Sequence, residues 1–435
     1  MKTKFKLLTA CICLSAFVFA QQPQPIPDQY IVILKESASQ PVKKQEKKNN
    51  NREQKAAANK PARDKALAKV KAIHEKKNIK SSAIISEYTE IMVGFSAKLT
   101  AQEKKALEDD PEVEAVIQDY VIEIDPMNPE PNPSDVGFMD YEQKNSGISI
   151  ESGPSLNSSP TDVDHEAIEL PAQYLGCNIT KAGGFADGSS KSTFIWILDT
   201  GIDIDHPDLN VVTKYGKSFI FLRPSLDDEH GHGTHCAGIA AAKNNSIGVV
   251  GVSAGAKVVP VKVLNNDGKG SWSTLISGLD HVAKYDVKGD VVSMSIGGYG
   301  YSNCENSNNK LRDAIRLLGS TGTYVVMAAG NDGADAKLNR PGCVNGTNVF
   351  TVASIECSNG CSSFSNFNTS SSVPVDWVAV GKSVYSTCKG GYYCTKSGTS
   401  MATPAVAGII HARGGAPLSG GTVTCKNKTY KIAKR

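Results

Sequence analysis

The chain has 435 residues, a mass of 46.2 kDa and a formal net charge of +3. That length calls for two or three domains, and 40% apolar residues suffice for a substantial core. So small a net charge excludes a generally basic nucleic-acid-binding surface, and eleven cysteines argue against a reducing cytosol.

Residues 1–20 read as a secretory signal. Lys2, Lys4 and Lys6 form the basic start, and Leu7 to Phe19 is an apolar run too short to span a bilayer. Val18-Phe19-Ala20 offers a cleavage site that leaves Gln21 first. Leu8-Thr9-Ala10-Cys11 resembles a lipoprotein box, but its apolar lead is short, so no stable membrane anchor is expected.

Residues 21–125 read as a small α+β unit. Strands are predicted at 29–35, 83–88 and 91–98, and from Asp110 to Val121. Helices are predicted over 62–75 and from Thr100, where Thr100 and Glu103 form a capping-box pattern. The Lys/Asn/Ala-rich stretch 41–64 has too few apolar side chains to pack and reads as a solvated basic insertion. Residues 41–80 hold fourteen Lys/Arg against four Asp/Glu, a run that is ordinarily wet surface rather than a nucleic-acid site. Residues 126–165, rich in Pro, Asn, Ser and Asp, have linker composition, where nicking concentrates.

From residue 166 to 435 short apolar runs alternate with helical stretches. Strands are predicted near 193–198, 257–264, 291–296, 324–329, 348–354 and 376–380. Helices are predicted at 232–243, 273–285 and 307–319, with one more starting at Ser400. This is the α/β pattern of a central, mostly parallel sheet with helices on both faces, where reactive groups collect at the carboxyl ends of strands.

Four motifs carry chemistry. Asp199-Thr-Gly201 ends a buried strand. His232-Gly-Thr-His235 opens a helix, Gly330-Asn331 ends another strand, and Gly398-Thr-Ser400-Met-Ala-Thr-Pro404 leads into a helix whose first turn is expected to hold Pro404. Each has a bland reading: a buried paired carboxylate, helix-start histidines, a turn, an N-cap. Asp-Thr-Gly also occurs in aspartic proteases, which need a second such aspartate; none is present. His230-x-His232-x-x-His235 admits a zinc-hydrolase reading. A catalytically dead binding module is a third possibility, against which the intact set of four motifs argues. Together they stand in the order Asp, His, Ser, with gaps of 33 and 168 residues.

On these motifs the chain resembles the subtilisin-like serine peptidases, and most of all their proteinase K-like branch, in which a cysteine such as Cys236 follows His-Gly-Thr-His. Residues 29–123, with Gly94-Phe-Ser-Ala-Lys98 and Asp110-Pro-Glu-Val-Glu114, are similar to the family's inhibitory prosegment. The resemblance implies a secreted serine endopeptidase made as a zymogen, with protein or peptide substrates and its own prosegment as partners; a monomer is expected. It implies Ser400 as nucleophile, His232 as general base, Asp199 as its orienting carboxylate and Asn331 as oxyanion donor. It also implies Lys269-Gly270-Ser271 and Ser295-Ile296-Gly297 as strands flanking a substrate bound as an added β-strand. No acidic cluster suggests a basic-selective pocket, so apolar or broad preference is expected. No cofactor for catalysis is implied. A structural calcium is, with Asp376 and carbonyls near Thr347 and Val349 as its ligands.

Without the signal nine cysteines remain. By the same resemblance Cys236 is free and buried, with a modulatory thiol beside His232 as the rival reading. Cys388 and Cys394 flank a Gly-Gly hairpin turn, and Cys357 with Cys361 could close a small loop. Cys177, Cys304, Cys343 and Cys425 would then pair among themselves. Phe350 stands where the branch often has a cysteine, so the family's pairing does not transfer. The segment ahead of Asp199 lacks the family's usual mature start, and a single strand is predicted over 422–432, after the Ser400 helix.

Overall fold

Alternate residues of one strand set the two faces of the core. In β6 (Ile195–Asp199), Ile195 and Ile197 join one buried cluster, while Trp196 and Leu198 join another. A strand buried on both faces must be apolar throughout, which is why this stretch shows no polar alternation. The structure, a computed structural model, describes residues 23–35, 51–124, 173–220, 224–298, 304, 309–369 and 373–435. The predicted signal, residues 41–50 of the insertion and the linker 126–165 lie outside these residues.

The first unit contains β1 (Pro25–Leu34), α1 (Arg52–Ala58), α2 (Lys60–Lys76), β2 (Ile84–Tyr88), β3 (Gly94–Lys98), α3 (Ala101–Glu108) and β4 (Val113–Glu123). Its antiparallel strands run in the order β4-β1-β3-β2. Val32 and Leu34 face Val70, Ile73 and Leu107 in the unit's own core, while Ile31 and Ile33 face the second unit. Thr100 and Glu103 form the predicted capping box.

The second unit has two small parallel strands, β5 (Ala186–Asp187) and β9 (Ser253–Ala254), and a ten-stranded sheet among the described residues. That sheet contains β6, β7 (Asn210–Val211), β8 (Lys217–Ser218), β10 (Lys257–Lys262), β12 (Val291–Met294), β13 (Tyr324–Ala328), β14 (Val349–Ile355), β15 (Val375–Val380), β18 (Leu418–Cys425) and β19 (Lys428–Lys434). Its main path is β18-β19-β15-β14-β13-β12-β6-β10-β7, parallel except for the β18–β19 hairpin. Helices His232–Ala241 and Thr399–Arg413 cover one face; Trp272–Tyr285 and Lys310–Ser320 cover the other. Each fully buried Val, Leu or Ile in these layers contributes about 1.5–3 kcal/mol. The chain passes from β6 to β10 on one side and returns to β12 on the other. The carboxyl ends of β6 and β12 therefore border the crevice where such sheets bind ligands. Beside the sheet stand β11 (Lys269–Ser271) and the hairpin β16 (Val384–Cys388)–β17 (Tyr392–Lys396).

Three expectations are corrected here. The described part of the basic insertion is helical and packed: Arg52 and Ala56 of α1 are buried. Its partners belong to the second unit, so local composition could not reveal them. The last predicted strand is a hairpin, because Lys426 and Asn427 both adopt positive φ and turn the chain. Finally, Cys357 pairs with Cys177 and Cys361 with Cys425, rather than with each other. Cys304 pairs with Cys343, and Cys388 with Cys394 across its hairpin. The Cys177–Cys357 link spans 180 residues, a closure worth about 5 kcal/mol in the chain-entropy picture.

Candidate active site

β6 delivers Asp199 at its carboxyl end, 1% exposed. Oδ1 accepts the Thr200 N–H at 2.7 Å and His232 Nδ1–H at 2.8 Å, while Oδ2 has no partner among the described residues. His232 is the first residue of its helix, which Gly231 enters with φ of +97°. A Cβ on Gly233 would lie 2.0 Å from the Gly201 carbonyl oxygen, so glycine is what lets this helix reach β6. Burial alone would lower the His232 pKa. The Asp199 carboxylate overrides that and holds it well above the ordinary imidazole value. With Nδ1 committed, Nε2 has no partner among the described residues.

Asp228, which no motif singled out, ties these two elements together. Its Oδ1 accepts from Thr200 Oγ1 and from the N–H groups of His230 and Gly231; its Oδ2 accepts from the N–H and Oγ1 of Thr234. Burial raises its pKa, yet these bonds outweigh it and leave the carboxyl below its usual value. A carboxylate at a helix N-terminus is the only signal that sequence could have offered, and Asp-Asp-Glu at 227–229 blurs it.

Ser400 lies one residue inside its helix and is 1% exposed. The helix begins at Thr399, so Pro404 sits beyond the first turn and not within it as the sequence suggests. Its missing N–H would have bonded the Ser400 carbonyl. That oxygen is satisfied instead by Ser295 Oγ at 2.9 Å and Cys236 Sγ at 3.5 Å. Thus Ser295 and Cys236, from two other elements, fix the backbone of Ser400. Burial pushes the Cys236 thiol up, which disfavours the reactive-thiolate reading. Ser400 Oγ donates to the Ser295 carbonyl at 3.2 Å rather than to His232.

Asn331 follows β13. Its Oδ1 accepts from the N–H and Oγ1 of Thr399, at 2.8 and 3.0 Å, while Thr399 Oγ1 takes the Gly330 N–H at 3.2 Å. With the oxygen end committed, the NH₂ end is left beside Gly398, immediately before the Ser400 helix.

The first unit enters this cleft. β4 pairs antiparallel with β11, matching Lys269 with Glu123, Gly270 with Ile122 and Ser271 with Val121. On its other side Glu123 exchanges two 3.2 Å backbone bonds with Gly297, and the Ile124 N–H reaches the Gly268 carbonyl at 2.9 Å. Of the six residues predicted to flank substrate, Lys269, Gly270, Ser271 and Gly297 therefore border an added strand. Ser295 faces Ser400, and Ile296 packs into the core. Asp280 of the Trp272 helix accepts the N–H groups of Thr89, Glu90 and Ile91, fastening the first unit beside the cleft. Burial pushes its carboxyl up to about 6.

The histidine-rich zinc reading loses its geometry. His235 Nε2 faces the carbonyls of Val384 and Cys394 at 3.1 and 3.0 Å, and burial lowers its pKa to about 3. Asp199, His232 and Cys236 are the potential ligands that do converge among the described residues, not three imidazoles. Asp376 sits at a register shift between β14 and β15, and its Oδ2 accepts the Thr351 N–H at 2.9 Å. Burial pushes its carboxyl up to about 7. A half-buried carboxylate with one N–H donor among the described residues keeps oxygen capacity that suits a hard cation, so the residue fits a calcium ligand.

Residues 190–412 match the model of the subtilase family, and residues 29–125 match that of peptidase inhibitor I9. Thermitase from Thermoactinomyces vulgaris is 39% identical over 230 residues, 53% of this chain and 76% of its own. Proteinase R from Parengyodontium album is 31% identical over 395 residues, 89% of this chain and 79% of its own. The cuticle-degrading protease of Metarhizium anisopliae is 34% identical over 328 residues, 74% and 71% of the two chains. With both family matches in the order that the two structural units occupy, the chain belongs to the subtilase family, in its proteinase K-like branch, and is a serine endopeptidase carrying an I9 inhibitor segment ahead of its catalytic unit.

Proposed function

We propose that the chain is a secreted zymogen whose catalytic group consists of Asp199, His232, Ser400 and Asn331. Ser400 Oγ attacks the scissile carbonyl as His232 Nε2 takes its proton, and the imidazolium later protonates the leaving amine. Asp199 holds the Nδ1–H tautomer and stabilises the imidazolium. The Asn331 NH₂ and the Ser400 N–H stabilise the tetrahedral oxyanion. The observation that carries this reading is the His232 pair: Nδ1 is fixed on Asp199 at 2.8 Å, while Nε2 is left without a partner among the described residues. The Ser400 hydroxyl has only to leave the Ser295 carbonyl for that nitrogen; such bonds commonly tighten when substrate is bound. No cofactor takes part.

Substrate binds as a strand between Lys269–Ser271 and Gly297, the place that Val121–Ile124 of the I9 segment fills. Because this pairing runs through Ile124, self-processing falls beyond it, in the stretch that includes the linker 126–165. Residues 1–20 direct secretion, which four disulfides among the described residues suit. Apolar or broad preference, a monomeric state, and a structural calcium held by Asp376 with the Thr347 and Val349 carbonyls complete the reading. Calcium binding is tested by melting: added calcium raises Tm and a chelator lowers it in the wild type, but neither acts in Asp376→Asn. The catalytic assignment is tested with a fluorophosphonate. The matured enzyme carries the label on Ser400 and the Ser400→Ala variant carries none. Activity that persists in Ser400→Ala and disappears with a chelator would instead establish a metallohydrolase.

A further inference from the structure

Asp290 closes the amino end of the central sheet, just before β12, and is fully buried. Its Oδ1 accepts the Phe194 N–H at 2.9 Å; its Oδ2 accepts the Trp196 indole N–H at 2.8 Å and the Val287 N–H at 3.2 Å. Arg52 of α1 reaches the same carboxylate from the inhibitor unit with both arms of its guanidinium, Nη1 to Oδ2 at 2.5 Å and Nη2 to Oδ1 at 2.8 Å. Nη1 also donates to the Tyr285 carbonyl at 3.1 Å and Nη2 to that of Ser192 at 3.0 Å. The guanidinium carbon lies 3.5 Å over the Phe194 ring, with the Trp196 and Tyr215 rings at 5.8 and 5.9 Å.

Every one of these partners belongs to the catalytic unit. A carboxylate, two carbonyls and an aromatic face arranged around one plane match a guanidinium and not an ammonium, which makes no bidentate fork and stacks poorly. Arg52 is 5% exposed, so the contact is dry and not a screened surface pair. One helical turn on, Lys55 Nζ donates to the Ala283 and Asp286 carbonyls, at 2.6 and 3.0 Å, and pairs with the Asp286 carboxylate at the end of the Trp272 helix. Glu53, on the same helix, pairs with Lys214 and with the Tyr215 hydroxyl. The cleft lies at the other end of the sheet: Ser295 follows β12, whose four residues put about 13 Å between its ends.

We propose that the pocket of Asp290, Phe194, Tyr285 and Ser192 is a guanidinium-binding site of the catalytic unit, filled in the zymogen by Arg52, so that the basic segment is a second anchor retaining the inhibitor after the processing cut. The inference rests on the reading of residues 29–125 as an autoinhibitor. When β4 leaves the cleft, the segment stays tethered at the opposite end of the sheet and its return is intramolecular. Activity therefore appears only when both contacts have opened, and the vacated pocket then accepts arginine side chains of other peptides.

The test is the time course of peptide hydrolysis by the full chain, purified as the processed and still inhibited complex, for wild type, Arg52→Lys and Arg52→Ala, each scaled to its own final rate. The lag before activity shortens by about 10²-fold or more in Arg52→Ala, the low end of what a second linked contact supplies. Arg52→Lys falls nearer to Arg52→Ala than to wild type. Equal lags in all three overturn the proposal. Should Arg52→Ala fail to fold, acetyl-arginine amide at millimolar concentration shortens the wild-type lag while acetyl-lysine amide at the same concentration does not; an equal response to the two overturns it. A wild-type chain that never becomes active, whatever is added, overturns the peptidase reading, and the anchor falls with it.

Discussion

The central sheet buries an aspartate at each end of its β6–β12 pair, and the two are used in opposite ways. At the carboxyl end Asp199 leaves one oxygen without a partner among the described residues, and the imidazole it holds leaves a nitrogen likewise. At the amino end Asp290 has both oxygens occupied by N–H donors, three from its own unit and two from Arg52. A buried polar atom without a partner is tolerated where a reacting group will supply one; a buried charge with every lone pair engaged positions chains. On the proposed reading the same residue type serves proton transfer at one end and recognition at the other, and the count of partners tells them apart.

The contrast breaks most sharply at the cleft end. Ser400→Ala lowers kcat by roughly 10⁶-fold, the size such a loss has in a subtilisin used as the reference case. Asp199→Asn leaves the geometry but inverts the tautomer, and lowers kcat about 10⁴-fold, again by analogy with serine-protease triads. Both are read by steady-state kinetics on matured protein, with kcat falling far more than KM rises. At the amino end the largest effect is on folding instead. Asp290→Ala, compared with Asp290 in a Ser400→Ala background to prevent self-digestion, lowers urea-unfolding stability by about 3–5 kcal/mol, because Arg52 is left buried and unpaired. Equal stability of the two would erase the distinction. Asn331→Ala lowers kcat by roughly 10²–10³-fold with little change in KM; the magnitude is that of the corresponding subtilisin donor. The smallest effect is titration of His232. Its imidazole must be neutral to accept the Ser400 proton, and Asp199 holds its pKa above 6.5. kcat/KM therefore falls as pH drops through that raised pKa, with the half-point above pH 6.5, and a half-point below it would contradict the Asp199–His232 coupling.

Much of the cleft end is legible in the sequence because its chemistry is written locally. Asp199, Ser295 and Asn331 each lie at or just past an apolar run that can only be a buried strand, so a parallel sheet gathers them at one edge. His232 and Ser400 open helices whose Gly-rich entries are visible as such. The amino end is illegible for the opposite reason. Arg52 lies in a Lys/Asn/Ala stretch that has no apolar stripe of its own, and its partners Asp290, Phe194 and Tyr285 are 142–238 residues away. Asp228 and the Cys177–Cys357 link are hidden likewise, since each is defined by contacts between elements. Pro404 shows the same limit on a small scale: whether the Ser400 carbonyl loses its N–H partner depends on where the helix begins, and its replacement by Ser295 and Cys236 cannot be read from the sequence.

Mapping the fluorophosphonate adduct by peptide mass spectrometry, before and after release of the I9 segment, tests the central claim most directly. The account predicts no adduct while β4 fills the cleft, then one adduct per chain, on Ser400, once the segment is gone. An adduct on another serine, full labelling of Ser400 with the segment still bound, or matured protein that stays unlabelled would contradict it.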